Sequence, residues 1–165
     1  MELKKTISVL VENQPGVLAR IASLFSGRAF NIDSLAVGET EDPTTSRMTI
    51  VAKGDEQVLD QIMKQLNKLI DVIRVVDMTA ETHVERELAL VKINAGKKKA
   101  DLLNVFRLFK AKVLDISKEA YMVEVTGSDE KINSFLEAAE EFGVKEMVRT
   151  GTIALTRTKK TKNRK

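Results

Sequence analysis

Apolar positions alternate from the start of the chain. In residues 5–12, Ile7, Val9 and Val11 recur with period two, which predicts a strand. Asn13-Gln14-Pro15-Gly16 is a turn signal, and Pro15 suits a helix's first turn. Val17, Leu18, Ile21, Leu24 and Phe25 then fall on one helical stripe. Gly27 and the stretch Arg28–Asn31 end that helix, and Ile32–Val37 reads as a second strand. A polar loop leads to Arg47–Gly54, a strand alternating Met48, Ile50 and Ala52. Asp55 begins a second helix with Val58, Leu59, Ile62, Met63, Leu66 and Leu69 on its buried face, and Asp71–Met78 closes as a strand.

The order β-α-β-β-α-β then repeats. Leu88–Ile93, Lys112–Ser117, Tyr121–Thr126 and Met147–Leu155 read as strands, with helices over Asp101–Phe109 and Asp129–Phe142. Residues 53–66 and 126–139 mark equivalent strand-to-helix junctions in the two halves. The expected class is α+β, with two tandem ferredoxin-like βαββαβ domains, each an antiparallel sheet with helices on one face. The expected divisions are residues 1–78, a linker at 79–84, a second domain at 85–157 and a basic disordered tail at 158–165.

Composition narrows what such domains can do. Among 165 residues there is no Cys, so neither a thiolate nucleophile nor a Cys-based metal site is available. His83 is the single histidine, which rules out a multi-His metal centre and leaves one candidate base, in a charge-rich linker. The carboxylates form no acid–base constellation: Glu39, Glu41 and Asp42 read as solvated loop residues, and no phosphate loop of the Walker or Rossmann type is present. No catalytic residue and no metal ligand is expected. Six of the 27 Lys and Arg lie in the last nine positions; without them 21 bases face 24 acids, so the +3 charge is a −3 body with a basic tail. Five of the six phenylalanines map to helices and only Tyr121 falls on a strand, a pattern that argues against base stacking on the sheet and against a nucleic-acid partner. No apolar run approaches the roughly 18–20 residues of a membrane span. Strand pattern begins directly at the N-terminus, so a cytoplasmic protein without a signal peptide is expected.

Two stretches could hold a ligand. In Asn13–Val17 a glycine allows close backbone approach, and the unpaired amides of the following helix N-terminus suit a carboxylate or phosphate. The same residues also read as plain punctuation between strand and helix. Asn31, before the second strand, could face such a ligand or simply occupy a turn. The corresponding turn of the second half, Asn94–Asp101, has Gly96 but no proline and no matching order, so a ligand is expected in the first half only.

The segment Val11–Gly38 resembles the opening of an ACT domain, the small-molecule-sensing module of amino-acid metabolism. Asp42–Val51, His83–Ile93, Val113–Ser117 and Val148–Leu155 look more specifically like the small, regulatory subunit family of acetolactate synthase (acetohydroxyacid synthase), over about residues 5–157. Phe109–Lys112 departs from the Phe-Arg-Gly-Lys more usual there, and the tail lies beyond the pattern. The resemblance implies a non-catalytic chain that activates a large catalytic subunit and confers feedback inhibition by valine, with leucine and isoleucine as alternatives. Thiamine diphosphate, Mg2+ and FAD would belong to the large subunit and none to this chain. It also implies a homodimer through the ACT domains, with valine at the interface. Asn13, Gly16, Val17 and Leu18 would form the turn, and Asn31 and Ile32 would reach in from the partner chain. A free-standing ACT-type sensor acting on another enzyme or a transcriptional regulator is the alternative reading.

Overall fold

In a computed structural model of the chain, residues 3–26, 31–96 and 98–158 are described. The proposed helix stop at residues 27–30 and the tail from 159 lie outside them. The chain divides into two units, residues 1–84 together with the segment from Ile153 onward, and Glu85–Thr152.

In the first unit β1 (Leu3–Glu12) lies between β3 (Thr45–Gly54) and β4 (Val72–Asp77), and β2 (Ile32–Glu39) forms the edge beyond β3. Every pairing is antiparallel, with Val9 opposite both Met48 and Val75. The alternation read from the sequence decides which face is covered. Ile7, Val9, Val11, Met48 and Ile50 are buried in one cluster with Ile21 and Phe25 of α1 (Val17–Ser26) and Leu59, Ile62 and Leu66 of α2 (Glu56–Leu66). Burial of each large side chain contributes about 1.5–3 kcal/mol. Helix α2 begins where Asp55 accepts the Val58 N–H at 2.8 Å. It stops short of the expected Leu69 because Asn67 turns back on the last turn, its amide donating to Met63 O at 2.9 Å. Lys5 bridges Asp60 of α2 and Asp77 of β4, and the hydrogen bond to Asp60 leads in raising its pKa.

The second unit repeats the plan. Its sheet has the order β6-β7-β5-β8, formed by Lys112–Ile116, Ala120–Gly127, His83–Asn94 and Val144–Arg149, with β5 entering the unit at Glu85. Helices α3 (Lys99–Phe109) and α4 (Asp129–Glu140) cover one face over Val91, Ile93, Val123 and Val125. Tyr121 faces this core as well. Its ring meets Phe106 edge-on at 6.0 Å, so it is not displayed on the open face. Both halves are thus ferredoxin-like.

Two expectations need revision. Residues 147–155, read as one strand, form the end of β8 and then β9 (Ile153–Thr156), because Thr150–Thr152 breaks the run and Gly151 has φ +81°. Strand β9 pairs with β5, the Arg157 N–H donating to Thr82 O at 2.8 Å, and the segment from Ile153 groups with the first unit rather than the second. The stretch read as a linker is structured: Met78–Ala80 is a 3-10 turn capped by Asp77, and β5 already begins at His83.

Candidate functional site

The turn from β1 into α1 is built by its glycine. Gly16 has φ +88°, a conformation that L side chains rarely adopt, and its carbonyl accepts the Arg20 N–H at 3.0 Å to start the helix. A glycine at this capping position has no side chain to offer the first-turn amides. The Val17 N–H reaches back to Gln14 O at 3.4 Å, while those of Leu18 and Ala19 have no acceptor among the described residues. The result is a helix N-terminus whose donors and positive dipole end are open to an anionic group.

Asn13, Gly16, Val17 and Leu18 come together here. Val17 contributes only backbone, because its side chain is buried in the core, whereas Leu18 is 44% exposed and offers an apolar surface. Asn13 is held from two sides: its amide donates to Glu39 at 3.2 Å and to Pro43 O at 3.0 Å. Its N–H also bonds Thr44 O. Both donor bonds of the side chain are therefore committed within the chain, and its carbonyl oxygen is what remains for a ligand.

Asn31 and Ile32 lie elsewhere. They open β2, whose Ile32 pairs with Ala52, while the turn adjoins the other end of the sheet, where Glu12 pairs with Thr45. Asn31 donates to Asp33 at 3.1 Å, and Ile32 packs half-buried against the core. Within one chain the two groups are separated by most of a strand's length.

The residues not anticipated from sequence are Arg20 and Asp71. Arg20 projects from α1 over the turn, so near that a Cβ on Gly16 would lie 3.2 Å from its Nη1. Its Nε donates to the nearly buried Asp71 carboxylate at 2.6 Å, and the backbone carbonyl of Asp71 takes the Glu12 N–H. The sequence signal was available: Arg20 stands one helical turn beyond Gly16, and Asp71 directly precedes β4. The loop behind Asn13 is ordered too. Asp42, read as merely solvated, accepts the Thr44 hydroxyl at 2.7 Å and its N–H at 2.9 Å, and these bonds, the hydroxyl first, lower its pKa.

His83 is partly buried, with its Nδ1 2.8 Å from Glu81 O. Among the described residues no three His, Cys, Asp or Glu are grouped to hold a metal, and no helix is long and apolar enough to cross a membrane.

Family models cover both halves. One described as an AHAS small subunit-like ACT domain matches residues 7–74, and one described as the small subunit of acetolactate synthase matches residues 86–158. The chain belongs to the acetolactate synthase small-subunit family. Its relatives in that family include the acetolactate synthase small subunit of Mycobacterium leprae, 51% identical over 92% of this chain and 90% of that one. The probable acetolactate synthase small subunit of Archaeoglobus fulgidus is 47% identical, covering 94% and 98% of the two chains. The crystal structure of the acetolactate synthase small subunit from Thermotoga maritima superposes with a TM-score of 0.86 at 39% identity, over 94% of this chain and 98% of that one. In this small-subunit fold, the turn at Gly16 therefore belongs to the ACT domain.

Proposed function

We propose that this chain is the regulatory subunit of an acetolactate synthase, activating a separate large catalytic subunit and imposing feedback inhibition by valine bound at the Gly16 turn. The open first turn of α1 carries the reading. The free amides of Leu18 and Ala19 and the adjacent Arg20 suit the carboxylate of a zwitterion, the Asn13 carbonyl oxygen suits its ammonium, and Leu18 suits a branched side chain. Thiamine diphosphate, Mg2+ and FAD would reside in the large subunit, where condensation of pyruvate with pyruvate or 2-oxobutyrate takes place.

The position of Asn31 and Ile32 favours a homodimer. Strand β2 is an unpaired sheet edge with Leu35 and Val37 partly exposed along it. An antiparallel two-fold pairing of β2 with its copy, centred between Leu35 and Ala36, sets residue 32 of one chain opposite residue 39 of the other. Glu39 is the residue that Asn13 holds. The end of β2 that is remote within one chain would thus reach the turn of the second. Regulation follows if valine binds the inhibited arrangement more tightly than the active one; a coupling of about 1–3 kcal/mol is typical.

The test is a calorimetric titration of the full chain with valine, leucine and isoleucine, repeated on Gly16→Asp and paired with assays of the reconstituted holoenzyme. An aspartate tolerates the positive φ better than most residues but sets a carboxylate where the ligand's own should sit. Valine binding and inhibition should both be lost in the variant, with activation retained. Unchanged inhibition in Gly16→Asp removes the site assignment, and a chain that binds none of the three amino acids removes the effector class.

A further inference from the structure

The face of the first unit's sheet turned away from α1 and α2 carries a second polar feature, apart from the Gly16 turn. Leu10 of β1 is paired with Arg47 of β3 on one side and with Arg74 of β4 on the other. Side chains of residues directly opposite share a face, so both arginines rise from the open side, about 10 Å apart at the backbone. The 3-10 turn at Met78–Ala80 and strand β9 pack against β1 on this side, and Arg157 follows β9. Between them is a groove of about 310 Å3, floored by Ser8 and Leu10 and lined by all three arginines.

The charge pattern of this groove has no internal explanation. Glu81 is the one carboxylate among its lining residues, and among the described residues none of Arg47, Arg74, Arg157 and Glu81 has an ion-pair partner. Elsewhere the arginines that the fold uses structurally are tied to carboxylates, Arg20 to Asp71 and Arg149 to Glu87 and Asp129. Arg47 is instead oriented by a neutral group, its Nη1 donating to the buried Ser8 hydroxyl at 3.1 Å, which leaves its other donors free. Gathering like charges without counter-charges is unfavourable unless an anion completes the set.

We infer that the groove on the open face of the first sheet, lined by Arg47, Arg74 and Arg157, is a binding site for a compact multivalent anion, of the phosphate or the di- and tricarboxylate type. Guanidinium groups present paired N–H donors that match phosphate and carboxylate oxygens two at a time. The size is at the lower end for small-molecule sites and suits such a compact group better than a length of polymer. Because the site takes residues from β1, β3, β4 and the segment after β9, occupancy would fasten that segment to the sheet.

The proposal is independent of the valine reading and is tested separately. The full chain is titrated calorimetrically, at low ionic strength and without amino acids, with pyrophosphate and with citrate, using chloride as the monovalent control. Arg74→Ala and Arg157→Gln are compared; both positions are exposed, and unchanged melting temperatures establish that the variants fold. The expected result is saturable binding of one anion per chain, by pyrophosphate or citrate according to which chemistry the groove prefers, weakened at least tenfold in each variant. Binding that survives Arg74→Ala unchanged belongs elsewhere, for instance to the basic tail, and overturns the proposal. So does the absence of saturable binding by either anion. Arg74→Ala weakening association with a catalytic subunit while no small anion binds assigns the groove to a protein contact, and equally defeats it.

Discussion

Each half of the chain fastens an arginine to a buried carboxylate, but at opposite ends of equivalent sheets. In the first half Arg20 holds Asp71 beside the N-terminus of α1, the helix that opens toward the candidate ligand. In the second half Glu87, at the start of β5, accepts from Nε and Nη2 of Arg149 and from the Thr152 hydroxyl at 2.6 Å. Arg149 continues to Asp129 and Asn133 of α4. That brace lies at the N-terminus of α4, away from the turn that would correspond to a ligand site. Partial burial works to lower the Arg149 pKa, but hydrogen bonding and charge from Glu87 and then Asp129 outweigh it, and the net direction is upward. The same βαββαβ plan is therefore braced at the end that carries the Gly16 turn in one copy and at the opposite end of the sheet in the other.

Helix caps sharpen the contrast. The second helix of each half closes on itself, through Asp55 in α2 and Ser128 in α4, each accepting the N–H three residues on. The first helices have no such side-chain cap. At α1 the reason is Gly16; at α3 the capping residue is Lys98, which makes no side-chain cap bond and brings a positive charge to a positive dipole end. Gly96 has neither a positive φ nor a neighbour within 4 Å of a built Cβ. Only the first turn requires its glycine.

The largest expected effect lies in the braces. Arg149→Ala leaves a carboxylate that is 5% exposed with only the Thr152 hydroxyl, and should cost about 3–5 kcal/mol. Arg20→Ala strips Asp71 in a wetter setting and should cost roughly 1–3 kcal/mol. Urea unfolding, with amide exchange to locate the loosened strands, reads both. Similar losses in the two variants would erase the distinction drawn between the ends. Next come the turns. Gly16→Ala should cost about 1–2 kcal/mol through its positive φ, while Gly96→Ala should be neutral or gain up to about 1 kcal/mol. Thermal melts of the pair decide whether the two connections differ in backbone demand. The smallest effect concerns the loop behind Asn13. The pKa of Asp42 is lower folded than unfolded, so its stabilisation is present above the unfolded value near 3.9 and is lost as pH falls through the folded one. In Thr44→Val, an NMR titration should show Asp42 moving up toward its ordinary value; no movement would mean that the hydroxyl does not order the loop.

Much of the fold was legible because one periodicity governs each element. The Ile7-Val9-Val11 alternation predicts which side of β1 is buried, and in α1 the stripe holds for Val17, Ile21 and Phe25 but not for Leu18, which the first turn leaves 44% exposed. Boundaries shifted where a single polar residue ended an element, as Asn67 does for α2, or where a glycine broke a run, as Gly151 does. The site was legible in part. Pro-Gly before an apolar stripe marks the turn, but Arg20 and Asp71 are 51 positions apart, and only the pairing of β4 with β1 brings them together. The arginine groove was hidden for the same reason, since Arg47 and Arg74 share a face only after the strands are registered, and Arg157 joins them only through the placement of β9.

The return of β9 to the first unit has a consequence for anyone who would cut the chain. Topologically Glu85–Thr152 is an insertion, entered at one peptide bond and left at another. A fragment ending near residue 84 would keep Gly16, Arg20 and Asp71 but lose Ala154 and Arg157, and with them one wall of the arginine groove. Severing the two halves with one cleavage yields one whole body and one incomplete one. A clean excision of the inserted body needs two, rejoined from Val84 to Ile153.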